Sequence, residues 1–514
     1  MKRISRACLV MAVCAAWSLR ADVKPAALFA DHMVLQRGQN LPVWGWADVG
    51  EKVTVSLAGQ SGSATADAQG DWKIVLKPVT SSEALQMTIK GTNEIVIKDI
   101  LMGEVWLCSG QSNMNMRVAS CKDAAQVKAA ADLPKIRHFQ IRNTVCPEPT
   151  RNLAGTWTVC SPKTVAAYTG TGFFFGRSLF EELNVPIGIV HSSWGGTPAE
   201  AWTSKEDLGR SENLQPILER FQTALEQYPE KKKAWEEKVE AWKEKVAKQK
   251  AEGEKKLARK PRPPMNERHY QRPSGLYNGM ILSLVPYAIK GATWYQGESN
   301  AGRGQQYEEL LQTMIANWRR IWGQGDFPFY IVQIANFRSE QTDPNEQSAW
   351  AELRDSQTKV GYGDPNCGLA TIIDIGDAKD IHPKNKQDVG ARLAKIALAK
   401  LYDKGIVYSG PKYASMKTEG STVRLSFDFL GGGLVSKGDK LGGFAVAGDD
   451  KVFKWADATI DGDTVVVKSA DVPAPRAVRY GWANNPPCTL YNKAELPAVP
   501  FRTDTWPGVT DGKQ

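Results

Sequence analysis

Hydrophobic and polar positions follow three regimes along the chain. From about residue 22 to residue 98, apolar residues alternate with polar ones in short runs: VTVSLAG (53–59), DWKIVLK (71–77) and EIVIKD (94–99), with Gly- and Asn-rich breaks between them. A period of two over such short runs predicts strands, and the set predicts a small β-sandwich. From residue 100 the pattern changes. Buried-type runs such as GEVWLCSG (103–110), IGIVHSS (187–193), FPFYIVQIA (327–335) and GLATIIDI (368–375) alternate with amphipathic runs such as GFFFGRSLFEEL (172–183) and QYEELLQTMIANWRRIW (306–322). That alternation predicts parallel βαβ units with helices on both faces, a doubly wound α/β sheet. Ligands of such sheets collect at the carboxyl ends of the strands. From about residue 410 the short alternating runs return, as STVRLSFDF (421–429), GFAVAG (443–448) and TVVVKS (464–469), and predict a second β-sandwich or jelly roll.

The alternation is interrupted at about residues 205–273 by a charged helical insertion. Within it Trp235, Val239, Trp242 and Val246 recur at intervals of four and three, an apolar seam on a charged helix. The seam is read as a packing stripe, with a partner-binding or substrate-rim role as the alternative. Residues 1–21 read as an export leader: Lys2, Arg3 and Arg6 precede a short apolar run, and Ala21 is a plausible cleavage point. No later segment is long enough to span a bilayer. The expectation is a secreted or periplasmic protein without membrane insertion.

Charge changes this picture only locally. The formal net charge is +9; residues 1–21 hold four basic residues and no acid, and residues 230–262 hold 13 basic and 7 acidic residues, so the rest of the chain stands at −1. No basic face remains for nucleic acid. The composition, 42% hydrophobic and 24% charged, is that of a globular protein. Of the eight cysteines, Cys108, Cys121, Cys146, Cys160, Cys367 and Cys488 lie beyond the leader, and none stands in a CxxC or Cys/His spacing suited to zinc. The GDAKD run (376–380) reads as a loop rather than a calcium site, so neither metal nor cofactor is expected. Nothing in the pattern sets an oligomeric state.

Candidate chemistry begins where the first buried strand ends, at CSGQSNMNM (108–116). A serine nucleophile needs a base, and the chain has five histidines. His32 lies in the first β region, His269 at the exit of the insertion and His138 within a strand pattern. His191 and His382 remain, and His382 has the better context: a loop after TIIDI, with Asp374, Asp377 and Asp380 before it and Pro383 behind. An α/β-hydrolase elbow is excluded, because GxSxG would require glycine where Met114 stands. Ser112 can still open a helix at the strand exit, where backbone N–H groups support an oxyanion.

Four blocks in order, GQSNM (110–114), HSSWGGTPAEAW (191–202), WYQGESNA (294–301) and DIHPKNKQDVG (380–390), resemble those of the SGNH (GDSL-like) esterases, and more narrowly those of the sialate O-acetylesterase family. The likeness extends to FADHMVLQRGQNLPVWGWA (29–47) and to the ending AVRYGWANNPPCTLYNKAELPAVPFRTD (477–504), and spares only the charged insertion. It implies an SGNH-type domain over residues 99–409, an N-terminal β-sandwich at 22–98 and a C-terminal β-rich domain at 410–514. It implies Ser112 as nucleophile, His382 as base, and an oxyanion hole from Ser112, Gly195 and Gly196 completed by the Gln296 amide, with Asn300 second in line. Gln111, Asn113, Trp194, Glu298 and Asn300 are implied to bind substrate or to orient the site, Glu298 by hydrogen bonding. Trp202 is a further candidate for the pocket wall. The superfamily commonly has Asp three residues before His, but Lys379 stands there, so Asp380 is the expected acid, with Asp377 behind it. The implied substrate is an acetylated sugar, O-acetyl sialic acid foremost, with acetylxylan or another polysaccharide as the alternative. A non-enzymatic carbohydrate-binding protein and a partner-recruiting scaffold are the rivals from other classes.

Overall fold

The structure is a computed structural model that describes residues 22–514; the leader expected at residues 1–21 lies outside them. Seven strands build the central sheet: β1 (Glu94–Gly110), β2 (Ile136–Ile141), β3 (Gly155–Val159), β4 (Ile187–Ser193), β5 (Gly291–Tyr295), β6 (Phe329–Val332) and β7 (Cys367–Ala370). Their order is β3-β2-β4-β1-β5-β6-β7. All neighbours run parallel except β2 and β3. β1 is held on one side by β4, from Ile187 opposite Glu104 to Ser193 opposite Gly110, and on the other by β5. The chain winds outward in both directions from β1, which makes its carboxyl end the switch point where a crevice opens.

Two faces need two cores, and β1 supplies both by strand alternation: Val105 and Leu107 enter one, Trp106 and Cys108 the other. Helices α1 (Gly170–Leu183) and α5 (Lys386–Leu401) cover the Trp106 face; α3 (Gly304–Trp322) and α4 (Ala349–Gly363) cover the opposite face. The closeness of α1 and α5 depends on Gly390, where a Cβ would lie 2.5 Å from Phe175 N. The mixed α/β class with several sheets is therefore the observed one.

The N-terminal region holds a three-stranded sheet, Lys24–Pro25, Leu41–Trp46 and Asp71–Leu76, and a second sheet that merges with β1. The first residues of β1 pair antiparallel with Leu85–Lys90, the next three run parallel to Val34–Gln36, and from Glu104 the same strand belongs to the central sheet. Position 98/99, expected to separate two domains, thus lies inside an unbroken 17-residue strand. Asp99, at φ 55°, bends the strand there and is held by His32 and Arg137. At the C-terminus, two four-stranded antiparallel sheets face one core that joins Val423, Leu425 and Val465 to Phe444, Val478 and Tyr480.

In the insertion, α2 (Tyr228–Ala251) carries the tryptophan seam, and the chain covers it itself. Trp235 donates to Pro261 O at 3.1 Å, Trp242 donates to Ala258 O at 2.8 Å, and Lys260 Nζ stands 5.9 Å from both rings. The returning segment is the seam's partner, so the seam is a packing stripe.

Candidate active site

Gly110 ends β1 at φ 136°, where a Cβ would meet Tyr295 O at 2.2 Å, so only glycine lets β1 and β5 close this tightly. The chain then turns into a single helical turn, Ser112–Asn115. Ser112 opens that turn half-buried, with its Oγ 2.8 Å from His382 Nε2. His382 comes from the loop between β7 and α5. Its Nδ1 stands 3.3 Å from Asp380 Oδ1, and its backbone N–H donates to the same oxygen at 2.9 Å. Residues 270 positions apart in sequence meet as an Oγ–imidazole–carboxylate line.

The other candidates for base and acid are committed elsewhere. His191 is buried between Gln140 Oε1 at 2.7 Å and Ser193 Oγ at 2.6 Å, and burial pushes it down to about 3. Burial also holds His138 well below the ordinary range. Asp374 is clamped by Arg392 at 2.6 and 2.8 Å and receives the Tyr491 hydroxyl. Asp377 accepts the Lys379 N–H. Ser109 is buried with its hydroxyl unpartnered among the described residues.

Two backbone N–H groups lie open at the serine turn. Gly195 lies against Ser112: a Cβ there would fall 3.3 Å from Ser112 Cβ. Among the described residues, neither Ser112 N–H nor Gly195 N–H has a hydrogen-bond partner. Gly196, at φ 75°, shapes the turn, and its carbonyl accepts the Gln271 amide. The Gln296 amide departs from expectation. It is fully buried, its Nε2 donates to Asn300 Oδ1 at 2.7 Å and Thr197 O at 3.2 Å, and its Oε1 accepts the Tyr307 hydroxyl. Both of its hydrogens are engaged, so the side chain braces the Gly195–Thr197 turn instead of facing a substrate. Asn300 does similar work, accepting from Ala199 N and donating to Glu200 at 2.8 Å.

A buried network brackets Ser112. Glu298 accepts from Gln111 at 2.6 Å and from Asn113 at 2.7 Å, so one carboxylate grips both neighbours of Ser112. Burial pushes that carboxyl above the ordinary range. Asn113 also donates to Ile381 O at 3.1 Å, tying the serine turn to the histidine loop. Its Oδ1 accepts from Lys386 Nζ at 2.7 Å. Lys386 is fully buried, lies 5.1 Å from the Tyr295 ring and is pushed down to about 8, chiefly by burial. Sequence reasoning passed over Lys386. The available signal was a lysine four residues after His382, at the first position of an amphipathic helix that faces the sheet.

One wall is aromatic. Trp194, half-buried, stacks on Tyr270 (centroids 5.7 Å apart, 19° between planes), and His269 stacks on Tyr270 at 4.7 Å. Tyr270 and His269 come from the exit of the insertion and were likewise not foreseen as site residues. Trp202 is not part of the wall: it is fully buried, edge-on to Trp294, with its N–H on Thr197.

The comparisons with known proteins agree with one another. A family model described as carbohydrate esterase, sialic acid-specific acetylesterase, matches residues 102–250 and 264–399. The sialate O-acetylesterase of Rattus norvegicus is 29% identical over 537 residues, 93% of this chain and 93% of its own length. That of Homo sapiens is 28% identical over 539 residues, 94% of this chain and 93% of its own. Among solved structures, a carbohydrate acetylesterase from Xanthomonas citri superposes with a TM-score of 0.80 at 37% identity, covering 94% of this chain and all of that one. Described residues contain no helix long and apolar enough to cross a membrane, and no cluster of three or more metal-ligating side chains.

Proposed function

The chain belongs to the carbohydrate esterase family of sialic acid-specific acetylesterases and is a carbohydrate O-acetylesterase, and we propose that it acts through an acetyl-enzyme on Ser112. The observation that carries this reading is the 2.8 Å contact between Ser112 Oγ and His382 Nε2 beside two unpartnered backbone N–H groups. His382 takes the hydroxyl proton as Oγ attacks the acetyl carbonyl, and Asp380 holds the imidazole by its Nδ1. The tetrahedral oxyanion accepts from Ser112 N–H and Gly195 N–H. Collapse of the intermediate expels the sugar hydroxyl with the proton from His382. Water, deprotonated by the same imidazole, then attacks the acetyl ester and frees acetate and Ser112.

For the substrate we take an O-acetylated sialic acid, the compound class in the names of the rat and human relatives. An acetylated polysaccharide is the second reading, favoured by the Xanthomonas citri structure, which is named only for carbohydrate, and by a stacked aromatic wall suited to a sugar face. The same reading assigns residues 99–409 to an SGNH-type doubly wound domain, flanked by β-sandwich domains at 22–98 and 410–514, and takes residues 1–21 as an export leader. Acetate release from O-acetyl sialic acid and from acetylated xylo-oligosaccharide, with wild type and Ser112→Ala, is the test. Release from one sugar alone, abolished by the substitution, is expected; release that survives it would refute Ser112.

A further inference from the structure

Beside the serine site a second cavity of about 230 Å³ opens between the insertion and the loops that hold the nucleophile. Pro198 and Ser299 line it, each next to a residue already described: Pro198 follows the Gly195–Thr197 turn, and Ser299 follows Glu298. Gln271, whose amide reaches Gly196 O, lines it as well. The remaining wall carries charge. Arg303 comes from the carboxyl end of the β5 loop, and Arg220 comes from the insertion helix Gln215–Glu226.

The two guanidinium groups share one carboxylate, and the sharing is unequal. Glu200, almost fully buried, accepts from Arg303 at 2.6 Å and from Asn300 at 2.8 Å. Its oxygens are thus taken up by groups on its own side of the cavity. Arg220 has no hydrogen-bond or ion-pair partner among the described residues. Arg220 is solvent-exposed at the cavity rim. Partial desolvation first, and then the charge of Arg303, holds its guanidinium below its ordinary range, with Glu200 opposing. Glu200 is committed to Arg303, so Arg220 presents an unpaired guanidinium at the rim of a cavity of about the size of a single sugar. A planar guanidinium with free N–H groups is suited to binding a carboxylate through two parallel hydrogen bonds.

We propose that Arg220, with Arg303 behind it, is the carboxylate-binding subsite for an acidic sugar whose acetyl ester is presented to Ser112. The insertion would then be the element that selects anionic over neutral substrates. The proposal rests on the serine-esterase reading and deepens it. Arg220 is a specificity residue: it touches the sugar's carboxylate and takes no part in the bond that breaks.

The experiment compares one sugar in two charge states, O-acetyl sialic acid and its carboxyl methyl ester, with 4-nitrophenyl acetate as a substrate lacking both sugar and carboxylate. Wild type is expected to prefer the free acid by about tenfold in kcat/KM, through KM, as for a single charge-assisted contact. Arg220→Ala and Arg220→Gln should both erase the preference by raising KM for the acid, with kcat kept and the other two substrates unchanged. Equal use of acid and methyl ester by wild type, or an equal loss on all three substrates in both variants, would overturn the subsite. Those outcomes leave the esterase reading standing. Ser112→Ala, run on 4-nitrophenyl acetate, tests that reading separately.

Discussion

Lys386 offers a quantitative check on the buried network. It has no exposure, donates to Asn113 Oδ1 at 2.7 Å, and is pushed from an ordinary 10.5 to about 8, chiefly by burial. A lysine whose folded pKa is depressed penalises the folded state wherever the unfolded chain binds the proton more tightly. The penalty is fully present below pH 8 and vanishes as pH rises past 10.5. A difference of roughly 2.5 units corresponds to about 3 kcal/mol. Stability of wild type relative to Lys386→Met should therefore rise by about 1 kcal/mol between pH 7 and pH 9, and by between 2 and 3 kcal/mol, roughly, by pH 10. Urea denaturation of both proteins at these pH values measures the difference, in which the buried tyrosines and cysteines common to both cancel. The same substitution frees Asn113, and through it Glu298 and the serine turn, so kcat at pH 7 should fall by between ten- and a hundredfold, roughly, from misplacement alone. A stability difference that is flat from pH 7 to pH 10 would refute the assignment of a charged lysine buried on Asn113.

Three further outcomes are expected. Asp380→Asn should lower kcat by about ten- to a hundredfold at pH 7, less than a fully buried triad acid would, because Asp380 is half exposed and 3.3 Å from Nδ1; steady-state kinetics on acetylated sugar decides this, and unchanged kcat would leave a Ser–His pair. Gly195→Ala places a methyl 3.3 Å from Ser112 Cβ and should reduce kcat with little change in melting temperature. Gly110→Ala drives a Cβ to within 2.2 Å of Tyr295 O and should cost several kcal/mol, about the penalty for a strained, overpacked site, read by thermal unfolding.

The pair at the centre was legible in the sequence for a physical reason. A serine after a glycine at a strand exit and a histidine in an aspartate-rich loop are patterns of residue type, and type is what a sequence states. The α/β alternation was legible on the same terms, since β1 from Ile100 onward and all of β4 are buried on both faces. Gln296 illustrates the limit. An amide's identity says that it can donate, but only the fold determines whether its hydrogens meet a substrate or, as here, Thr197 and Asn300. Tyr270 and His269 stayed hidden because they approach Trp194 from a segment with no periodicity of its own. Arg220 lies on a helix whose charges look like any solvated face until Arg303 is set opposite. EIVIKD and GEVWLCSG look like two strands in the sequence, whereas in the structure they are one, β1, which continues through a bend at Asp99.

That continuity has a consequence for how the molecule is assembled. As the chain is made, β1 emerges before either of its central-sheet neighbours, β4 and β5, exists. Its amino-terminal half, however, already has Leu85–Lys90 and Val34–Gln36 to pair with. The first domain therefore acts as a jig. It clamps one end of the strand and fixes which side chains point to which face long before the sheet is complete. A slip of one residue would exchange Val105 and Leu107 with Trp106 and Cys108 and carry the serine turn off its histidine. The alignment of Ser112 with His382 is thus set in part by strand pairing at the far, amino-terminal end of β1.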